Sequence, residues 1–230
     1  MTSGAAASGP SCLRDNAWLC WKYVETRQDR LVEATTEHVV ITLTAVGLGI
    51  LVAVPLALLA RRYRRTETLV LGASTALYTI PSLALFSLLL PYLGLTTTTV
   101  VIGLALYSLT ILVRNMLAGL AGVPSDVKEA AHGMGYGSGR LLVKVEIPLA
   151  LPTIMAGIRV ATVSTVALTT VGAIVGFGGL GNLLNESIRT RFKPEILTAS
   201  VICVLLAVTL DLLLLGAQKL LTPWTRGRAA

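Results

Sequence analysis

Charge is what this chain has least of. Of 230 residues only 13% are Asp, Glu, Lys or Arg, about half the roughly 25% usual in soluble domains. Histidine occurs twice, as His38 and His132. There is no H-E-x-x-H, no G-x-S-x-G and no pair of carboxylates inside one apolar stretch, which argues against an intramembrane enzyme. The three cysteines, Cys12, Cys20 and Cys203, lack metal-ligand spacing, so no metal site is expected. A Cys12–Cys20 bond stays open for a tail outside the cell. The first 38 residues lack the apolar core of a signal peptide, being interrupted by Arg14, Asp15, Lys22 and Glu25.

Long apolar runs are what the chain has instead. Residues 39–60, 69–90, 98–120, 149–175 and 196–221 are each long enough to supply the roughly 20 apolar residues that cross a bilayer. One such run could be a buried helix of a soluble protein; five in succession predict an all-α polytopic transmembrane helical bundle. Residues 39–221 form its single domain, with a loop at 121–148. Residues 1–10 are small and polar and predict disorder. Residues 18–38 mix Trp18, Trp21, Tyr23, Val24, Leu31 and Val32 with charges. They read either as an amphipathic helix on the membrane surface or as an irregular tail. Residues 222–230 form a short C-terminal tail.

Lys and Arg collect in cytoplasmic loops. The run RRYRR at 61–65 therefore places the first loop inside, the N-terminus outside and the C-terminus inside the cell. Loop 121–148 also falls inside. Arg189, Arg191 and Lys193 oppose this, because five crossings put them outside. The glycine-rich GFGGLGNLL at 176–184 is expected as a short turn or re-entrant piece at the outer face.

Loop 121–148 holds Gly133, Gly135, Gly137 and Gly139 at alternate positions. A dinucleotide fingerprint needs Gly at positions one, three and six; here the sixth is Ser138 or Arg140. A Walker loop needs Gly-Lys and then Ser or Thr, and the chain reads Gly139-Arg140-Leu141. No nucleotide site is expected. PSDVKEAAHGM instead predicts a short helix, with Ser125 as N-cap, Asp126 and Glu129 near its positive end, a bald Ala130-Ala131 face, and Gly133 and Gly135 ending it.

This segment resembles the EAA loop of ABC-importer permeases: Glu129-Ala130-Ala131, then Gly135, then Val145, Ile147 and Pro148 in register. TIPSLALFSLLLP (79–91), LPTIMAGIRVATV (151–163) and GAIVGFGGLGNLL (172–184) extend the likeness to permeases for osmoprotectants such as glycine betaine, carnitine, choline and proline. Permeases for methionine-like amino acids share the layout and remain the alternative; a passive channel is a third reading. The resemblance implies a type I ABC importer permease (MetI-like) architecture with about five spans. It implies a plasma-membrane location, a second permease protomer, a separate ATPase subunit carrying ATP-Mg, an external substrate-binding protein, and no cofactor on this chain. Lipid surrounds it and no nucleic acid is expected. Glu129, Ala130, Ala131, Gly135 and Pro148 would serve the ATPase coupling.

A quaternary ammonium favours an aromatic cage. Tyr78, Phe86 and Tyr107, with Tyr92 and Phe177 nearby, look too scattered to form one, so primary recognition is expected on the binding protein. Candidate pathway or gate residues are Tyr78, Pro81, Ser82, Tyr107, Arg159 and Asp211. Charges within spans face the interior and pair. Asp211 is the only acid within a span, so it is the expected partner of Arg159 or Arg114; a structural pair and a gate both fit. Pro55, Pro81 and Pro91 predict kinks, and GASTA (72–76) and GIRVATVST (157–165) predict close helix packing.

Overall fold

A computed structural model describes residues 11–224. The expected disorder of residues 1–10 and the placement of Arg226 and Arg228 lie outside the described residues. After a turn at residues 11–16, the helices are α1 (Trp21–Thr26), α2 (Gln28–Arg62), α3 (Arg64–Thr79), α4 (Ser82–Leu93), α5 (Thr97–Ala121), α6 (Ser125–Gly133) and α7 (Ser138–Leu141). A π-helical turn, Leu142–Glu146, runs into α8 (Ile147–Thr169). A 3-10 turn, Thr170–Val175, precedes α9 (Leu180–Thr190) and α10 (Lys193–Leu221). Four stretches, Gln28–Arg62, Thr97–Ala121, Ser138–Val175 and Lys193–Leu221, are long and apolar enough to cross a membrane. A broken fifth joins Arg65–Thr79 to Ser82–Leu93 at 98°.

The five expected spans are therefore present, with corrected edges. Residues 28–38 are not a separate surface helix. They are the first three turns of the α2 helix, because Leu31, Ala34 and His38 continue its buried stripe. The second span is broken rather than kinked. Ile80 takes an extended conformation before Pro81, as the clash with a following proline ring favours. The break frees carbonyls that lipid cannot satisfy, and α5 supplies a donor there: the Tyr107 hydroxyl donates to the Ile80 carbonyl. Farther back in α3, the Thr110 hydroxyl also donates to the Ser74 carbonyl. Pro55 lies within an unbroken helix, and Pro91 in the last turns of α4.

Helix α5 is the axle. It packs against α2, α3, α4 and α8, and 72% of its most apolar window is buried, against 6% for α10. Lipid tails are as apolar as leucine, so such contacts form by close fit and hydrogen bonding rather than by escape from water. Close fit is clearest where α8 crosses α5: a Cβ on Gly157 would stand 2.3 Å from the Asn115 Cβ. Gly72 itself has open space beside it; the close packing expected around 72–76 falls at Ser74, which is 5% exposed and accepts at its carbonyl from Thr110 of α5. Hydrogen bonds join α2 to α8, from Thr42 to Thr169 at 3.2 Å and from His38 Nε2 to the Val166 carbonyl at 3.0 Å.

The bundle has two unlike ends. Arg61, loop 121–148 and the last turns of α10 form one, the loop end; Gln218 reaches the Pro152 carbonyl there. The turn at residues 11–16, α1 and α9 form the other, the disulfide end, where Cys12 and Cys20 are bonded.

Candidate functional site

The loop end carries the candidate coupling residues. Pro124, with φ −56° and ψ 140°, sets the entry to α6. Ser125 is the first helical residue rather than the N-cap; its hydroxyl donates to Asp126 Oδ1 at 3.1 Å. The helix ends on a complete Schellman turn. The Tyr136 N–H reaches the Ala131 carbonyl at 3.1 Å and the Gly135 N–H reaches the His132 carbonyl at 2.9 Å. Gly135 stands at φ +83°, the left-handed conformation this turn requires and that glycine adopts without strain. Gly135 thus ends the helix, while Gly133 is an ordinary helical residue. Arg140 then stacks over the Tyr136 ring at 4.7 Å.

The Ala130-Ala131 pair divides between two faces. Ala131 is 2% exposed, on the side toward the bundle, and Ala130 faces out beside Glu129. With Val127 (39% exposed) and Met134 (70%), Ala130 forms an i, i+3, i+7 row on one side of α6. This is an apolar ridge that no other described residue covers. Leu120, Val123 and Ala150 form a small core beneath the loop, with Leu142, Ile147 and Ile154 against them. Pro148 follows the π-turn directly, inside the continuous helical stretch Ser138–Val175, where its missing N–H removes one helical hydrogen bond to the preceding turn.

The pathway candidates fall into two groups. Tyr78, Pro81, Ser82 and Tyr107 gather at the α3–α4 break. The rings of Tyr78 and Tyr107 meet edge-on at 5.8 Å, so these aromatics are less scattered than the sequence suggested. Phe86 instead lies buried in the core with Val100 and Val175, and Tyr92 is 85% exposed. Arg159 and Asp211 form the second group, bridging α8 to α10. Arg159 Nε donates to Asp211 Oδ1 at 2.9 Å and its Nη2 to Oδ2 at 2.7 Å, the two-pronged geometry in which guanidinium and carboxylate match best. Arg114 goes elsewhere and donates to the Thr75 hydroxyl at 2.7 Å.

Two clusters escaped the sequence reading. At the loop end Glu146 is 1% exposed and pairs with Arg61 and, at 3.9 Å, with Lys128. A cavity of about 420 Å³ beside it is lined by Arg61, Glu67, Lys128, His132, Leu141 and Glu146. The signal was a lone acid between Val145 and Ile147, at the threshold of an apolar run. At the disulfide end the glycine-rich turn feeds the amphipathic α9, legible in the spacing of Leu180, Leu183, Leu184 and Ser187. Arg30 there pairs with Glu186 and, at 3.7 Å, with Glu195. Asn16 clamps the α9–α10 corner, donating to the Arg191 carbonyl at 2.9 Å and accepting from the Lys193 N–H at 2.8 Å. Tyr23 packs edge-on against Phe192. Burial, and then the Glu195 carboxylate, push its phenol up to about 12. Among the described residues no three His, Cys, Asp or Glu gather as a metal site.

Comparison with known proteins agrees with this geometry. The osmoprotectant import permease protein OsmW of Salmonella typhimurium strain LT2 is 39% identical over 198 residues, 84% of this chain and 92% of the relative. The choline transport system permease protein OpuBB of Bacillus subtilis strain 168 is 34% identical, over 88% and 93%. The carnitine transport permease protein OpuCB of Listeria monocytogenes is 36% identical, over 84% and 88%. A chain of the MetNI methionine ABC transporter in an inward facing conformation superposes with a TM-score of 0.72 at 19% identity, covering 86% of this chain and 97% of the other. A chain of an amino acid ABC transporter with histidines superposes at 0.73, also at 19% identity, over 87% and 98%. Those two likenesses speak of the fold alone. Residues 45–227 match the family model described as binding-protein-dependent transport system inner membrane component, and the chain belongs to that family.

Proposed function

We propose that this chain is the membrane-spanning permease subunit of an ATP-driven importer for a compatible solute such as glycine betaine, carnitine, choline or proline. The observation that carries this is α6: a short exposed helix with an uncovered apolar ridge, ended by Gly135, on a bundle whose relatives are named for osmoprotectant, choline and carnitine transport. An apolar row on a helix suits a groove on a partner, here the ATPase subunit, which binds ATP-Mg. Glu129 and Ala130 would meet that subunit, and Gly135 and Pro148 would hold the helix toward it. This chain then performs no covalent chemistry. ATP closes the ATPase pair, α6 moves with it, and the spans of two permease protomers rock between inward and outward access. An external binding protein delivers the solute.

The loop end is then cytoplasmic. Arg61 and its neighbours at that end, and a disulfide at the other, where oxidising conditions preserve one, support this orientation. A cysteine at Ser125 should resist an impermeant thiol reagent in whole cells, and one at Arg189 should react; the reverse pattern overturns the orientation.

Glu129→Lys and Gly135→Val test the coupling. The first reverses a charge on the docking helix; the second forces a β-branched residue to positive φ. Both are expected to insert in the membrane, lose capture of the co-expressed ATPase subunit and abolish uptake. Unchanged capture with unchanged uptake of labelled betaine, choline, carnitine and methionine by both variants would sink the reading. Methionine alone among the four would move the solute to the amino-acid alternative.

A further inference from the structure

The geometry points to Glu146 as the positioning residue that makes the coupling helix and the first span move as one body with α8. This rests on the role proposed for α6. Glu146 lies on the π-turn Leu142–Glu146 that opens α8. Its side chain is 1% exposed, while those of its partners, Arg61 and Lys128, are 34% and 30% exposed. Arg61 belongs to the last turn of α2, and Lys128 lies on the second turn of α6. One carboxylate therefore ties three elements that are remote in sequence.

The remaining contacts of α6 are few. It touches α7 and the π-turn, and Ala131 is its only buried residue. The cavity beside Glu146 leaves the rest of its bundle-facing side unfilled. Without the ion pairs, a push on α6 would be absorbed by the glycine-rich stretch from Gly133 to Gly139. With them, displacement of Lys128 drags a buried charge whose other partner is the end of α2. A buried carboxylate resists separation from its cations because an unpaired charge keeps its whole desolvation cost. The π-turn fits such a role, since local widening of a helix tends to mark functional positions.

The experiment uses the complete transporter in proteoliposomes and reads solute accumulated per ATP hydrolysed, together with capture of the ATPase subunit. Glu146→Gln and, separately, Arg61→Gln are expected to keep capture and ATP hydrolysis but lower that ratio roughly fivefold or more, the lower end of typical coupling between two sites. The double variant should be no worse than either single one, as for two residues acting through one contact. Should Glu146→Gln fail to assemble, Arg61→Gln decides, because its half-exposed side chain is removed without leaving a cavity in the core. A parental ratio in Arg61→Gln overturns the inference, as does an additive double variant. Failure of the underlying coupling role looks different: Glu129→Lys would then retain both the ATPase subunit and uptake.

Discussion

Each end of the bundle buries a glutamate, and the two are anchored in opposite ways. Glu195, at the disulfide end, is 5% exposed and sits among Tyr23, Arg30 and Glu186. The elements bearing these groups are fastened to one another by more than charge. Cys12–Cys20 closes the N-terminal turn, Asn16 pins it to the α9–α10 corner, and Tyr23, Leu31, Leu180, Leu183 and Ala199 share one apolar core. Glu146, at the loop end, is buried as deeply but is held by two half-exposed cations, one of them on a helix with little else to hold it. The first arrangement makes a fixed platform. The second makes a joint that transmits force while its parts stay separable. Burial of a carboxylate is common to both; what differs is how much other packing shares the load.

The middle of the bundle sharpens this contrast and, after the coupling-helix variants, carries the largest expected effect. Asp211→Asn leaves Arg159 without its carboxylate, and a several-fold fall in uptake or in monodisperse yield is expected. Adding Arg159→Gln should recover part of the loss, whereas Arg114→Gln should recover none, because only a true pair couples strongly. A silent Asp211→Asn would mean that this pair does no more than bridge two lipid-facing surfaces. A harmful one with no rescue would give Asp211 a role of its own in the pathway.

Removing the disulfide with Cys12→Ser and Cys20→Ser should cost about 2–3 kcal/mol by the entropy of the short loop it closes. The loss should stay at the disulfide end, read as faster hydrogen exchange in α1 with solute per ATP unchanged. If that ratio falls as it does for Glu146→Gln, the two ends are not mechanically distinct. Glu195→Gln is a gentler probe of the same platform. It weakens one ion pair while Arg30 keeps Glu186, so about 1 kcal/mol is expected, checked by thermal melting in detergent.

The smallest effect concerns Tyr23. Burial raises its pKa from the ordinary phenol value of 10.0 to about 12, so the folded state holds that proton more tightly. The stabilisation is therefore complete below pH 10 and is lost as pH rises through about 12. Ultraviolet titration of the folded protein should show a late phenolate step that Tyr23→Phe removes. A Tyr23 that ionises with the exposed tyrosines would mean the platform admits water.

Much of this was written in single stretches of sequence. The spans follow from run length, since nothing but an apolar segment of about 20 residues crosses lipid as a helix. The end of α6 follows from Gly135, because a Schellman turn needs one residue at positive φ. That Asp211 needs an arginine follows from the expense of a lone charge in an apolar medium.

The tertiary structure decided what depends on neighbours far along the chain. It chose Arg159 over Arg114, a matter of which helix faces lie together rather than of depth. It broke the second span at Pro81, where the Tyr107 hydroxyl stands ready to satisfy the freed Ile80 carbonyl, and not the first at Pro55. It turned residues 28–38 into the start of α2 by giving Leu31 and His38 something to pack against. It put Ala131 against the bundle and Ala130 outside, and it brought Arg61, Lys128 and Glu146 together from three separate elements. Composition and periodicity set what each segment must bury; only the packed chain sets which partner it buries it against.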